Sequence, residues 1–230
     1  MKIAVMQPYF FPYIAYFQLV GLVDKFIFYD DVNFIKNGWI NRNRILINGE
    51  ARYMTVHLKN ASSFKLTNEV EFLDNRDKLL KTLDLTYKKA PFFKEVFPLL
   101  ENCLNFRTNK ISELSKATII KTCEFLGLNT IFESSSESYS ETRGLEKSQR
   151  LQQICLLNNA TEYYNLIGGV KLYDKHEFKK NNIDLYYLKV NEITYKQFNN
   201  EFVPWLSIID LLMFNSKDAT SSLLRKYQII

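Results

Sequence analysis

Glycine is scarce in this chain. Seven glycines in 230 residues leave little material for a backbone-lined phosphate loop, and neither G-x-G-x-x-G nor G-x-x-x-x-G-K-[ST] occurs. Cysteine is scarcer. Cys103, Cys123 and Cys155 are odd in number, far apart and form no C-x-x-C pair. That argues against a disulfide framework and for a reducing compartment, with each thiol a small buried hydrophobe. The two histidines, His57 and His176, have no ligand spacing with cysteine, so no Cys/His metal site is expected. No G-x-S-x-G anchors a serine triad. No run approaches the ~20 apolar residues of a membrane span, and no secretory leader is visible. A cytoplasmic protein that is not integral to a membrane is therefore expected. Charge of one sign is lacking too: +5 from 30 basic and 25 acidic residues is too mild for dedicated DNA binding, yet suits an anionic small molecule.

What the chain has is aromatic residues, at 15% of the sequence, within an otherwise ordinary globular composition. Six of them crowd QPYFFPYIAYFQL at residues 7–19. This stretch follows the apolar run KIAVM (2–6), a buried strand stopped by Gln-Pro. Helix is predicted from Tyr13 to about Val20, with Pro12 in its first turn and Gly21 as its C-terminal cap. KFIFY (25–29) is a second strand, and strand, helix, strand within thirty residues is a βαβ unit. Ile45–Ile47, Asn48-Gly49 and Tyr53–His57 predict a hairpin. Residues 75–126 read as mostly helical and close at Gly127. Thr130–Glu133 is a strand and Ser134–Ser140 a polar loop. LEKSQRLQQICLLNN is a helix with Leu145, Leu151, Ile154 and Cys155 inward. Strands follow at 162–166 and 183–190 around a short helix near 174–180, and a last helix begins at Pro204. The expected fold class is α/β: three layers on a mostly parallel, nucleotidyltransferase-like or Rossmann-like sheet. One domain, 1–230, would carry a helical insertion at about 75–127.

Open parallel sheets bind ligands beyond the carboxyl ends of their strands, so the segments after the strands are the ones to inspect. Gln7, Asp30, Asp31, Asn33, Lys36, Trp39, Asn41, Arg42, Asn43 and Arg44 all fall there. Arg42 and Arg44 offer forked clamps for phosphate or carboxylate, and Lys36 a point charge. Asp30 or Asp31 could hold Mg²⁺ through one carboxylate. Gly168-Gly169 could cradle an anion. Arg143, in SETRG before a helix, could touch phosphate beside the helix N-terminus. The plainer alternatives are a cap for Asp30-Asp31, a solvated turn for Asn-Arg-Asn-Arg and a tight turn for Gly-Gly.

MQPYFFPYIAYFQL, DKFIFYDDVNFIKNGWINRNRI, GLEKSQRLQQICLLNNATEYYNLIGGVKLYDKHEF and FVPWLSIIDLLMFN resemble the WbqC-like family, over most of the chain and least in its helical middle. Genes of that family tend to lie in bacterial O-antigen and polysaccharide clusters. Its layout is similar to the pantothenate-synthetase-like nucleotidyltransferases, in which an H-x-G-H motif opens the first helix. Tyr13-Ile14-Ala15-Tyr16 stands at that place here, and tyrosine, neutral near pH 7, cannot supply the histidines' charge.

The resemblance implies an enzyme that N-acylates a nucleotide-linked amino sugar. The donor would be a small carboxylic or amino acid such as glycine, activated with ATP and Mg²⁺ or arriving ready-activated as aminoacyl-tRNA or thioester. Lys36, Arg42 and Arg44 would hold phosphate or carboxylate, and Asp30 or Asp31 would take the amine's proton. Gln7, Tyr13 and Tyr16 would line the sugar or acyl pocket. The alternative is a non-catalytic nucleotide-sugar binder or scaffold of polysaccharide assembly.

Overall fold

β1 (Lys2–Met6) is buried at Ile3, Ala4 and Val5, with no polar alternation, as expected of a parallel strand covered on both faces. α1 (Ile14–Leu22) carries the chain back to β2 (Lys25–Phe28), which pairs in parallel with β1 at Ala4↔Phe26. The predicted cap at Gly21 is displaced, since α1 runs through it and ends at the extended Val23. Gly21 instead lies under Leu128, a side-chain carbon of which stands 3.4 Å from where a Cβ would be. The computed structural model describes residues 1–198 and 201–230.

A long excursion separates β2 from its other neighbour. β3 (Arg42–Ile47) and β4 (Glu50–Thr55) form the predicted hairpin, turning through Asn48 and Gly49, both left-handed at φ 53° and 79°, the geometry that favours Asn-Gly. β4 stops short of His57. β5 (Leu58–Lys59) and β6 (Glu71–Phe72) make a small ribbon, followed by α2 (Arg76–Tyr87), α3 (Phe93–Leu104) and α4 (Ile111–Leu126). Gly127 ends α4 in the left-handed conformation, φ 72°, a backbone state glycine adopts without steric cost.

β7 (Ile131–Ser134) then joins β2 in parallel. Ser134–Ser140 is not the loop expected from its polarity. It forms the turn of helix α5 (Ser135–Ser138) and a 3₁₀ turn, because the Ser135 side chain is buried against the end of β2. α6 (Lys147–Leu157) buries Leu151, Ile154 and Cys155 as predicted. Leu145 precedes the helix and stays exposed instead of facing inward. β8 (Glu162–Leu166) lies parallel on the far side of β1, α7 (Lys175–Lys179) leads to β9 (Asp184–Val190), and β9 pairs in parallel with β8. The last helix begins later than Pro204: α8 (Ile208–Phe214) is capped by Ser207, whose Oγ accepts from Ile209 N at 3.2 Å. α9 (Lys217–Leu224) and the antiparallel edge strand β10 (Tyr227–Ile229) were not foreseen, since KDATSSLL carries no clear apolar stripe.

The central sheet has the order β10-β9-β8-β1-β2-β7. Successive residues of β1 serve opposite cores. Ala4 faces a large cluster with α1, α4 and α8, while Ile3 and Val5 face a smaller one with α6 and α7. This is the expected three-layer α/β class with a mostly parallel sheet. The excursion is fastened through Tyr87, whose hydroxyl accepts from Leu46 N at 3.1 Å and donates to Asp210 at 2.9 Å. Asp210 also accepts from Tyr195 at 2.7 Å and Gln197 at 2.6 Å, and burial raises its pKa. Tyr87→Phe is expected to lower the unfolding free energy by about 2 kcal/mol, measured by urea titration, because it orphans a buried amide and removes a carboxylate's donor.

Candidate functional site

A cleft of about 990 Å³ opens where β1, β2 and β8 end, lined by Val5, Met6 and Gln7, by Tyr29 and Asp31, and by Asn165 and Leu166. Strand order reverses between β1 and β8, which is where doubly wound sheets leave a crevice. The volume suits a ligand the size of a nucleotide sugar.

Residues 7–13 form its inner wall, and their shape is set from several sides. Phe10 and Phe11 are fully buried. Phe10 N donates to Trp39 O at 2.9 Å, and Asn43 Nδ2 donates to Phe10 O at 3.2 Å and Phe11 O at 2.9 Å. Phe11 N donates to Thr118 Oγ1 at 3.1 Å, and Ser207 Oγ donates to Phe11 O at 2.7 Å. Phe11 is held at φ 41°, a strained state for a bulky residue that persists only where its surroundings impose it. Gln7, Tyr9 and Tyr13 are thereby turned to the cleft. Burial raises the Tyr9 and Tyr13 hydroxyls above their ordinary values, so both remain protonated donors. Tyr16 does not join them. It is fully buried and its hydroxyl donates to Gln7 O at 2.9 Å, propping the loop from beneath. Tyr13 and Tyr16 therefore do not face one ligand as a pair.

Asp30 and Asp31 diverge. Asp30 turns away from the cleft, accepting from Lys116 Nζ at 2.7 Å, Ser136 Oγ at 2.9 Å and Ser136 N at 3.0 Å. Burial pulls the Lys116 ammonium down, but hydrogen bonds to Asp30 and Glu113 outweigh it and its pKa is raised. Asp31 lies on the cleft floor. Its Oδ2 accepts from Arg143 Nε and Arg150 Nη2, each at 2.7 Å, and its Oδ1 from Ser135 Oγ. Burial alone would raise this carboxyl, but the hydrogen bonds from Arg150, Ser135 and Arg143 and the Arg150 charge overcome it, and the pKa is lowered. Arg150 also donates to Thr142 Oγ1 at 3.0 Å and lies 4.8 Å from the Tyr29 ring centroid. Beside it the N-terminus of α6 opens on the cleft with no side-chain cap, and Gly144, Leu145 and Lys147 line the wall there.

Asn33, Trp39, Asn43 and Arg44 reach the cleft, whereas Lys36, Asn41 and Arg42 do not line it. Lys36 is exposed on the turn before Gly38. Asn41 Nδ2 closes the hairpin on Val56 O at 2.9 Å. Arg42 spends its guanidinium on the Asn37 and Gly38 carbonyls and the Tyr53 ring. Arg44 remains in the wall, donating to Trp205 O at 2.9 Å, 5.8 Å from the Trp39 ring centroid. Gly168 faces open space, and Gly169 packs so closely on Asn165 that a Cβ would stand 3.0 Å from its side chain. The wall also contains residues that the sequence pattern did not single out, among them Tyr9, Tyr29, Lys147, Arg150, Asn165, Tyr173 and Trp205. Arg150 had a signal, since it stands four residues before Ile154 in the buried stripe of α6, where an arginine must have a partner.

The chemistry on offer is positioning and hydrogen bonding. Among the described residues no histidine or cysteine lines the cleft, and burial pushes the Cys103 and Cys155 thiols up to about 12. The cleft's one carboxylate has its oxygens occupied by two arginines and a serine. Asp30 is committed to Lys116, and no group of three or more His, Cys, Asp or Glu able to hold a metal occurs among the described residues. A Mg²⁺ held through one carboxylate would have to displace one of these partners from Asp30 or Asp31.

Residues 7–222 match the WbqC-like protein family. The chain belongs to that family. It is also 29% identical over 216 residues to an uncharacterized protein of Mycobacterium tuberculosis, covering 92% of each chain. No solved structure matches it. Within the described residues no helix of this WbqC-like protein is long and apolar enough to cross a membrane.

Asp31→Asn is expected to destabilise the protein by about 3 kcal/mol, as breaking a buried ion pair does. Most of this comes from the Arg150 arm, because Arg143 is half-exposed and screened. A lowered carboxyl pKa gives stabilisation that is whole above about pH 4, the unfolded value, and lost as pH falls through the folded one. Unfolding free energies measured on acidification should therefore drop more steeply in the parent protein than in Asp31→Asn.

Proposed function

We propose that the cleft binds a nucleotide-linked amino sugar and that the protein N-acylates it during assembly of a surface polysaccharide, taking the acyl group ready-activated. The observation that carries this reading is the cleft itself: a cation-rich end at Arg150, Lys147 and the uncapped α6 terminus, joined to an aromatic wall of Tyr9, Tyr13, Tyr29 and Tyr173. Diphosphate suits the first and sugar or base faces the second. The polysaccharide setting is what the resemblance to the WbqC-like family suggests. Arg44 and Asn33, across the cleft, would orient the donor.

A ready-activated donor asks little of the protein. The amine nitrogen bonds to the acyl carbonyl carbon, the carbon–oxygen or carbon–sulfur bond of the donor breaks, and the amine's proton goes to the departing hydroxyl or thiol. Alignment and hydrogen bonds to the developing oxyanion suffice, and the protonated Tyr9 and Tyr13 hydroxyls and the Gln7 amide are the donors facing it. Neither ATP nor a protein-held metal is then required. A thioester or aminoacyl-tRNA supplied with a nucleotide amino sugar should yield the amide, read by mass spectrometry, without ATP. Arg44→Ala should weaken sugar-nucleotide or donor binding by about tenfold, the loss of one charge-assisted pair.

The second reading, a non-catalytic sugar-nucleotide binder, is favoured by the lack of a free nucleophile or base among the lining residues. Calorimetric binding of the sugar nucleotide with no amide from any donor class, and with ATP also ineffective, would establish that reading and reject transfer.

A further inference from the structure

Large apolar side chains face solvent around the cleft mouth. Ile35, Leu172 and Trp205, at 52%, 68% and 58% exposed, come from three separate loops and line one opening, with Leu145 from a fourth. Single exposed apolar residues need no explanation, but several gathered at one rim mark a contact surface. A lysine accompanies three of them in sequence: Lys36 follows Ile35, Lys171 precedes Leu172, and Lys147 lies two residues past Leu145. All three lysines are exposed, and none enters an ion pair among the described residues. Of the nearby acidic groups, Asp31 is held by two arginines, while Asp174, which caps α7 by accepting from His176 N at 2.8 Å, keeps its charge and is followed directly by Lys175. Glu141 and Glu146 are the opposing charges in that loop, where Arg143 and Lys147 balance them.

We propose that this rim docks on an anionic lipid surface, with Ile35, Leu145, Leu172 and Trp205 entering the headgroup layer and the lysines lying against the lipid charges. Protein interfaces are depleted in lysine, so an apolar tip with a lysine beside it fits a protein partner poorly. The same pairing is what binds anionic bilayers, where apolar burial and basic attraction add. Docked this way, the cleft opens toward the membrane.

Both tryptophans of the chain, Trp39 and Trp205, line the cleft, so their fluorescence reports contact directly. The full-length protein is titrated with phosphatidylcholine vesicles, with and without phosphatidylglycerol, at low and high salt, and binding is also read by co-sedimentation. Anionic vesicles should bind and blue-shift the emission, and high salt should reverse this. Leu172→Ser with Trp205→Ser, and separately Lys36→Glu with Lys171→Glu, should each raise the lipid needed for half-binding about tenfold. Leu85→Ser, an exposed apolar residue of α2 away from the rim, should not. All these side chains are exposed, and matched melting curves check that the variants fold. Absence of vesicle binding, or equal binding by the rim variants, would overturn the proposal. So would lipid-free self-association that the rim variants abolish, since the rim would then belong to a second copy of the chain. No arm uses a nucleotide sugar, so the outcome is separate from that of the transfer assay.

Discussion

Asp31 is the point on which the cleft depends. It follows β2, and through Ser135, Arg143 and Arg150 it ties the end of that strand to α5, to the loop before α6 and to α6 itself. A buried carboxylate between two guanidinium groups is weak evidence for stability, since desolvation offsets much of the attraction. What it supplies is placement. Arg150 cannot leave Asp31 without stranding a buried charge, so one cationic edge of the cleft is fixed before any ligand arrives. Asp30, one residue earlier, does the same on the other side by holding Lys116 of α4. The two carboxylates anchor opposite layers of the fold to one strand end.

The inner wall obeys the same logic with neutral groups. Asn43, Thr118 and Ser207 come from the hairpin, the insertion and the C-terminal segment, and all three bond the backbone of Phe10 and Phe11. The helical excursion is therefore more than an appendage: it supplies Lys116 and Thr118 to the site, and Tyr87 to the buried Asp210 cluster. A loop over-determined in this way binds without an ordering cost. The proposed transfer, which would work by positioning with no nucleophile of its own, depends on that preorganisation.

The βαβ frame was legible because its apolar runs end at proline, glycine or paired aspartates, and the hairpin because Asn-Gly fits its turn. Gly127 was legible for the same reason. The location of the site followed from the rule for open parallel sheets, and Gln7, Tyr13, Asp31, Asn33, Trp39, Asn43, Arg44 and the Gly-Gly turn do line the cleft. Division of labour within the motifs was hidden. Adjacent residues leave a strand end in different directions, so Asp30 and Asp31 part, and α1 starts only at Ile14, so Tyr13 stays in the wall while Tyr16 is buried. Arg42 and Arg44 share a strand, yet the carbonyls of the Asn37-Gly38 turn claim the first. α5 was masked by serines whose burial against the aspartates is a long-range contact, and Trp205 entered from a segment far away in sequence.

On the proposed function, a preformed cleft with a fixed cationic edge receives a nucleotide sugar. A crystal structure of the protein with a nucleotide amino sugar tests it most directly. Diphosphate density is expected against Arg150, Lys147 and the α6 N-terminus, with residues 7–13 and the Asp31–Arg150 pair displaced by less than about 1 Å, as in other preorganised sites. Density for the sugar nucleotide elsewhere on the molecule, or a refolded 7–13 loop with Arg150 released from Asp31, would contradict it.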